Sequence, residues 1–212
     1  MIFPDTKLEQ KLWDSGIKYV VGIDEAGRGP LAGPVCAGAV AISPNTVINP
    51  LIRDSKKMTK KRREEVFEYI KENSIGYGIG MIDAKVIDDM GIQEAVKMAM
   101  IDAIKQVEKM IHNKAEYLII DGNGVLSIEG YSQEKLIKGD LHHYSISCAS
   151  ILAKVTRDRY MYEMSKIYPV YGFEKHVGYG TKYHMDMLNR YGPCKIHRRS
   201  YEPVRRLIGE GL

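Results

Sequence analysis

Lys18–Ile42 reads KYVVGIDEAGRGPLAGPVCAGAVAI. Its opening, Tyr19-Val20-Val21-Gly22-Ile23, has the length and β-branched content of a buried strand. The run stops on two acids, Asp24 and Glu25, and passes through Gly27-Arg28-Gly29-Pro30 into a second apolar run from Val35 to Ile42. Adjacent carboxylates at the end of a buried strand are costly unless their charge is compensated. A divalent cation is the simplest compensation; the plainer alternative is a cap followed by a turn. Successive strand residues point to opposite faces, so the chain is expected to leave regular strand conformation at Glu25 if both acids are to face one cleft.

Outward from this stretch, residues 5–15 carry Leu8, Leu12 and Trp13 on one side and predict a short amphipathic helix. Thr59 is placed to cap a helix reaching Asn73, with Val66, Phe67 and Ile70 inward. Ile75–Ile82 alternates apolar residues with glycine and reads as a third strand packed closely against its neighbours. From Ile92 to His112 the apolar residues keep helical spacing. Tyr117–Ile120 is a compact apolar run ending on Asp121-Gly122, and Gln133–Lys138 predicts a fifth strand ending at Gly139-Asp140. A helix is expected over Tyr144–Ile167, then an irregular glycine- and aromatic-rich segment. A last helix starts at Thr181, with Tyr183, Met187, Leu188 and Tyr191 inward, and stops at Gly192-Pro193. The pattern predicts one α/β domain over residues 1–212, with a C-terminal helical lobe from about 168 packed on it.

Bulk properties bound the function. The 212-residue chain has a net charge of +4 and a pI of about 8.8, which permits a polyanionic partner without demanding one. The positive charge is clustered, at Lys56-Lys57 with Lys60–Arg63 and at His197-Arg198-Arg199 with Arg205-Arg206, as suits a phosphate backbone crossing a surface. Cys36, Cys148 and Cys194 have no CxxC spacing and predict reduced thiols in a cytoplasmic protein. No apolar stretch approaches the ~20 residues of a membrane span, and the charged N-terminus does not resemble a signal peptide.

Three strands thus end in acids: Asp24-Glu25, Asp121 and Asp140. Functional clefts of open α/β sheets lie at the carboxyl ends of strands, and carboxylates gathered there cannot all stay ionised without cations. Hard oxygen ligands with no His/Cys cluster point to Mg²⁺ or Mn²⁺, in the arrangement by which two ions promote phosphodiester hydrolysis. Gly27-Arg28-Gly29-Pro30-Leu31-Ala32 also fits a dinucleotide fingerprint, but that motif needs a helix next, and a strand is expected instead.

The motifs DEAGRGPLAGP (24–34), DSKK (54–57), IIDG (119–122), KGD (138–140), ASILAKVTRDR (149–159), YGF (171–173), GYGTKYH (178–184) and GPCKIHRRSY (192–201) occur together and in order. Their joint pattern closely resembles the ribonuclease HII family, type 2 ribonucleases H that cut RNA in RNA–DNA hybrids. The resemblance implies a ribonuclease H-like fold, a mixed five-stranded sheet flanked by helices. It implies that Asp24, Glu25, Asp121 and Asp140 are the metal-binding catalytic carboxylates, with two Mg²⁺ or Mn²⁺ ions. It further implies that the backbone of Gly27-Arg28-Gly29 meets the 2′-hydroxyl side of a ribonucleotide, and that Tyr179 stacks on the following deoxyribose. The implied substrate is an RNA–DNA hybrid, or duplex DNA holding as little as one ribonucleotide. Cleavage is expected 5′ to the ribonucleotide, giving 3′-hydroxyl and 5′-phosphate ends, by a protein acting as a monomer.

The residues support this reading on their own terms. The 2′-hydroxyl is what distinguishes RNA from DNA, and flanking glycines let a backbone approach it closely. Lys56, Lys57, Lys182, Arg198 and Arg199 are expected to hold phosphates without reading sequence, and Thr181 joins the substrate-binding set beside Lys182. Asp158 is expected to anchor helix and loop through a neighbouring arginine. After KGD the family pattern has a small residue and a lysine, whereas this chain has Leu141-His142-His143, and the histidines are expected at the surface. A hybrid-binding module without catalysis is the competing reading; it would not need four acids.

Overall fold

β-Branched and small residues fill Val20–Ala26 (β1) and Val35–Ala41 (β2), and β2 is buried along its whole length. That is the pattern of a strand covered on both faces. A computed structural model describes residues 3–52, 58–122, 124 and 126–209. The sheet is completed by Gly76–Ile82 (β3), Tyr117–Asp121 (β4) and Ser132–Leu136 (β5), in the order β3-β2-β1-β4-β5. β3, β2 and β1 pair antiparallel, whereas β4 and β5 run parallel to β1. This is the mixed five-stranded sheet expected.

The helices are Lys7–Asp14 (α1), Lys60–Asn73 (α2), Ala84–Met90 (α3), Ile92–Ile111 (α4), Gly139–His142 (α5), Tyr144–Ile167 (α6), Phe173–His176 (α7), Lys182–Tyr191 (α8) and Val204–Gly209 (α9). One face of the sheet packs on α4, around Val21, Ile23, Ala37 and Ala39 with Val96, Met100 and Ile104. The other packs on α6, with α2 outside it, around Val40, Phe67, Ile151 and Leu152. Two glycines permit this closeness: a Cβ on Gly38 would overlap the Ala149 carbonyl of α6, and one on Gly80 the Ala99 carbonyl of α4.

Thr59 caps α2 as expected, its hydroxyl accepting from the Arg62 amide at 3.3 Å. Helices α3, α5, α7 and α9 have no counterpart in the sequence reading, being too short to show a period. In α8 the inward residues are His184 and Leu188, while Tyr183 and Tyr191 are exposed; the expectation of inward tyrosines is corrected. The isolated bridge Ala32↔His197 ties the C-terminal segment to the loop between β1 and β2. No described helix is long and apolar enough to cross a membrane.

Candidate active site

The order β3-β2-β1-β4-β5 puts the carboxyl ends of β1 and β4 side by side. Ile23 pairs with Ile120, so Asp24 and Asp121 follow at the same level on neighbouring strands. Asp140 arrives differently from the sequence expectation. β5 stops at Leu136, and Asp140 lies in the first turn of α5. The Gly139 amide donates to Asp121 Oδ1 at 2.6 Å and fixes that turn against β4. One carboxylate oxygen from each of Asp24, Asp121 and Asp140 lies within 4.8 Å of the others.

Glu25 corrects a second expectation. The strand does not end there: Glu25 pairs with Ala37 and Ala26 with Cys36. Both acids nevertheless line one cavity of about 530 Å³. The physical reason is that β4 ends at Asp121, leaving the edge of β1 open on that side beyond Asp24. A side chain leaving a twisted strand beside an open edge can turn into the cleft. Glu25 Oε1 accepts from Arg28 Nη1 at 3.2 Å, and its Oε2 is buried with no hydrogen-bond partner.

The electrostatics are those of a cation site. Burial first, then the charges of Glu25 and Asp121, push the Asp24 carboxyl well above its ordinary pKa, against the lowering effect of the Ser150 hydroxyl. Glu25 is also raised, by burial above all, while Arg28 pulls it down. Hard oxygen donors, mutual repulsion and an orphaned buried oxygen fit a divalent ion such as Mg²⁺ or Mn²⁺. The donor set fits no soft-metal chemistry.

Gly27, Arg28, Gly29 and Tyr179 line the same cavity as Asp24 and Glu25. How the loop is held was not legible from sequence. Arg198, expected on a phosphate, is fully buried. Its guanidinium donates to the carbonyls of Gly27 (2.6 Å), Arg28 (2.8 Å), Gly33 (3.0 Å) and Pro34 (3.1 Å). Arg157 is buried beside it and donates to Ala32 and Pro34. Burial pushes the Arg198 pKa down to about 10, so it remains a cation at neutral pH. A trans peptide sets its N–H opposite its C=O. With the carbonyls of Gly27 and Arg28 drawn onto Arg198, the amides of Arg28 and Gly29 point the other way.

The remaining expectations divide. Arg199 lies on a different cavity, with Asp83, Asp88 and Lys195, and is not brought to the carboxylates. Thr181 caps α8 by accepting from the His184 amide, and Lys182 is exposed at the start of that helix. Lys56 and Lys57 lie outside the described residues. Asp158, expected to tie helix to loop through a neighbouring arginine, instead pairs with Lys154 one turn away at 2.8 Å and with Arg63 of α2 at 3.8 Å, joining two helices. His142 is exposed, while His143 is half-buried. Sequence reasoning missed Ser150, Lys154 and Arg157 as cavity residues. Their i, i+4, i+7 spacing puts them on one face of α6, a signal that was available.

A strand order of this kind, with acids gathered at the ends of β1 and β4 on buried main chain, defines a metal-dependent nuclease of the ribonuclease H-like class. The family model described as Ribonuclease HII matches residues 21–204. A ribonuclease HII from Caldicellulosiruptor bescii is 49% identical over 195 residues, covering 92% of each chain. Among solved structures, the ribonuclease H2 from Pyrococcus horikoshii OT3 superposes with a TM-score of 0.73 at 25% identity, over 91% of this chain and 98% of that one. A Bst-RNase HIII in complex with Mn²⁺ shares the fold, with a TM-score of 0.65 at 16% identity over 92% of this chain and 70% of that one. The chain belongs to the ribonuclease HII family, hydrolytic endoribonucleases acting on RNA–DNA hybrids with a divalent metal. The β-strand that follows the glycine loop, where a dinucleotide-binding motif needs a helix, removes the nucleotide-cofactor alternative.

Proposed function

We propose that this protein, acting as a single catalytic domain, incises duplex DNA on the 5′ side of a ribonucleotide and hydrolyses RNA in longer hybrids, leaving 3′-hydroxyl and 5′-phosphate ends. The observation that carries this reading is the meeting of the Asp24, Asp121 and Asp140 carboxylates within 4.8 Å, with Asp24 also lining the cavity that the 27–29 loop and Tyr179 wall.

Asp24, Asp121 and Asp140 would hold the cations, with Glu25, on the same cavity as Asp24, as a fourth ligand. Two bound Mg²⁺ or Mn²⁺ ions would lower the pKa of the attacking water and neutralise charge on the leaving oxygen. The chain's own residues position the strand. The Arg28 and Gly29 amides, turned outward by the hold of Arg198 on the preceding carbonyls, are donors for the ribose 2′-hydroxyl; a deoxyribose offers nothing to accept them. Tyr179 supplies a flat apolar face for the next sugar. Lys154 and Arg63, on the cavity wall, set phosphate charge without reading bases. Arg28 holds Glu25 in place, so the residue that separates the two glycines also orients one of the acids.

The test is a DNA duplex containing one ribonucleotide, incubated with Mg²⁺, with Mn²⁺ or with EDTA. Incision 5′ to the ribonucleotide with either metal, none with EDTA, and a ligatable 3′-hydroxyl are expected. Cutting that persists in EDTA, or that falls elsewhere in the duplex, overturns the proposal.

A further inference from the structure

Behind Tyr179 lie three histidines that the chemistry above does not use. His184 and His197 are fully buried and His176 nearly so. The His176 and His184 rings stack at 4.5 Å, and the two Nε2 atoms of His184 and His197 stand 3.0 Å apart. Their partners fix where each proton sits, because a carbonyl can only accept and an amide N–H can only donate. His184 Nδ1 lies 2.9 Å from the Tyr179 carbonyl, so that nitrogen carries hydrogen and Nε2 is left as an acceptor. His197 Nδ1 accepts from the Cys194 amide at 2.9 Å, so its hydrogen is on Nε2 and is donated to His184. His176 Nε2 donates to the Tyr171 carbonyl at 2.8 Å, while its Nδ1 accepts from the Gly178 amide at 3.2 Å. Every ring nitrogen is satisfied with all three rings neutral, and the chain of donors runs one way, from Cys194 to Tyr179.

We propose that His184 and His197 are positioning residues for Tyr179. The directed chain Cys194 N–H → His197 → His184 → Tyr179 C=O fixes the tyrosine's main chain at the rim of the cleft. The Tyr179 amide donates to the His176 carbonyl, and the Tyr179 carbonyl shares its two lone pairs between His184 and the Thr181 amide. The chain also sets the distance between the two recognition elements. His197 is followed by Arg198, at the isolated bridge between Ala32 and His197, flanked by Arg198 N–H → Leu31 O (2.8 Å) and Gly33 N–H → Ile196 O (2.9 Å). Neighbouring side chains at such a bridge diverge. One grips the 27–29 loop, and the other reaches Tyr179 through His184.

Burial above all lowers both His184 and His197 to about 4, with His176 adding to the lowering of each and His184 to that of His197. The titratable groups facing them are His176, Cys194 and Tyr171. An added proton on His184 Nε2 would set two N–H groups against each other, so the relay works only when neutral.

The inference rests on the reading that Tyr179 touches substrate, and the test separates the two. Long-range ¹H–¹⁵N spectra of the histidine-labelled full chain at pH 7 should show hydrogen on Nδ1 alone in His184 and on Nε2 alone in His197, unchanged down to pH 5. A reversed tautomer or a cationic ring at pH 7 overturns the relay, whatever any variant does. In kinetics on the single-ribonucleotide duplex, His184→Gln moves the donor to the wrong position and should raise KM about tenfold, the scale of one lost hydrogen bond, with a smaller effect on kcat. His184→Asn carries an amide donor near the Nδ1 position and should recover most of that loss. Tyr179→Ala is the control. If it leaves KM unchanged, the assignment of Tyr179 fails. If it raises KM while His184→Gln does not, the relay fails.

Discussion

Replacing Arg198 with alanine separates two accounts of a basic residue near a nucleic-acid cleft. Four carbonyls accept from its guanidinium. After the substitution, the Arg28 carbonyl keeps the Tyr201 hydroxyl at 2.8 Å and the Pro34 carbonyl keeps Arg157 Nε at 2.9 Å. The carbonyls of Gly27 and Gly33 lose the donor that Arg198 provides. Each buried acceptor left without its donor costs about 1–3 kcal/mol. Part of the total is offset because a guanidinium no longer has to be buried. The net loss is therefore about 2–4 kcal/mol, or roughly 5–15 °C in Tm for a chain of this size. Arg198→Lys keeps the charge but reaches fewer carbonyls and should fall between. Thermal unfolding followed by circular dichroism reads the loss. The salt dependence of binding to a catalytically silent hybrid supplies the second readout. Because Arg198 meets no phosphate, the slope of log K against log salt should not change. A variant with wild-type Tm and a slope shallower by about one phosphate contact would refute the clamp and restore the phosphate contact expected from sequence.

Three further outcomes follow from packing and charge. Gly38→Ala drives a Cβ into the Ala149 carbonyl of α6, where backbone must move, and should cost at least about 3 kcal/mol in chemical unfolding; Gly122→Ala, with open space around it but a positive φ, should cost about 1 kcal/mol. Asp24→Asn should raise the Tm of the metal-free protein by a few degrees while abolishing incision. The folded-state pKa of Asp24 lies above its unfolded value, so its ionisation opposes folding above that window and the opposition fades as pH falls; the gain from Asn should accordingly shrink in acid. Adding Mg²⁺ or Mn²⁺ to wild type should raise Tm, by about 2.7 kcal/mol of stability at a hundredfold excess over Kd, and the rise should disappear in Asp24→Asn.

Much of the fold was legible because long elements declare their period. The apolar spacing of α4 and the Thr59 cap located their helices to within a residue or two, and the glycine alternation of β3 announced a close packing that the structure places against α4. Asp24 and Asp121 were legible for a similar reason, since acids after apolar runs stand out; Asp140 follows the polar strand β5 and sits in α5, so only the KGD motif marked it. What was hidden depended on tertiary neighbours. Glu25 reaches the cleft from within the strand because β4 stops beside it, which no local pattern in β1 records. Arg198 looked like part of a basic surface cluster, since nothing in His197-Arg198-Arg199 shows that carbonyls of residues 27–34 surround only the middle residue. The inward face of α8 was assigned to tyrosines by hydrophobicity, yet a neutral, fully bonded histidine occupies it.

The central claim is that the gathered carboxylates make the cut while the main-chain loop beside them finds the ribonucleotide. Single-turnover cleavage and binding of a one-ribonucleotide duplex by Asp121→Asn tests it most directly. The substitution keeps the shape and an oxygen that can still accept from the Gly139 amide, and removes one ligand charge. The account predicts cleavage lowered by at least about a thousandfold, the scale of a lost transition-state charge interaction, with affinity for the duplex within a few-fold of wild type. Cleavage at the wild-type rate would contradict it.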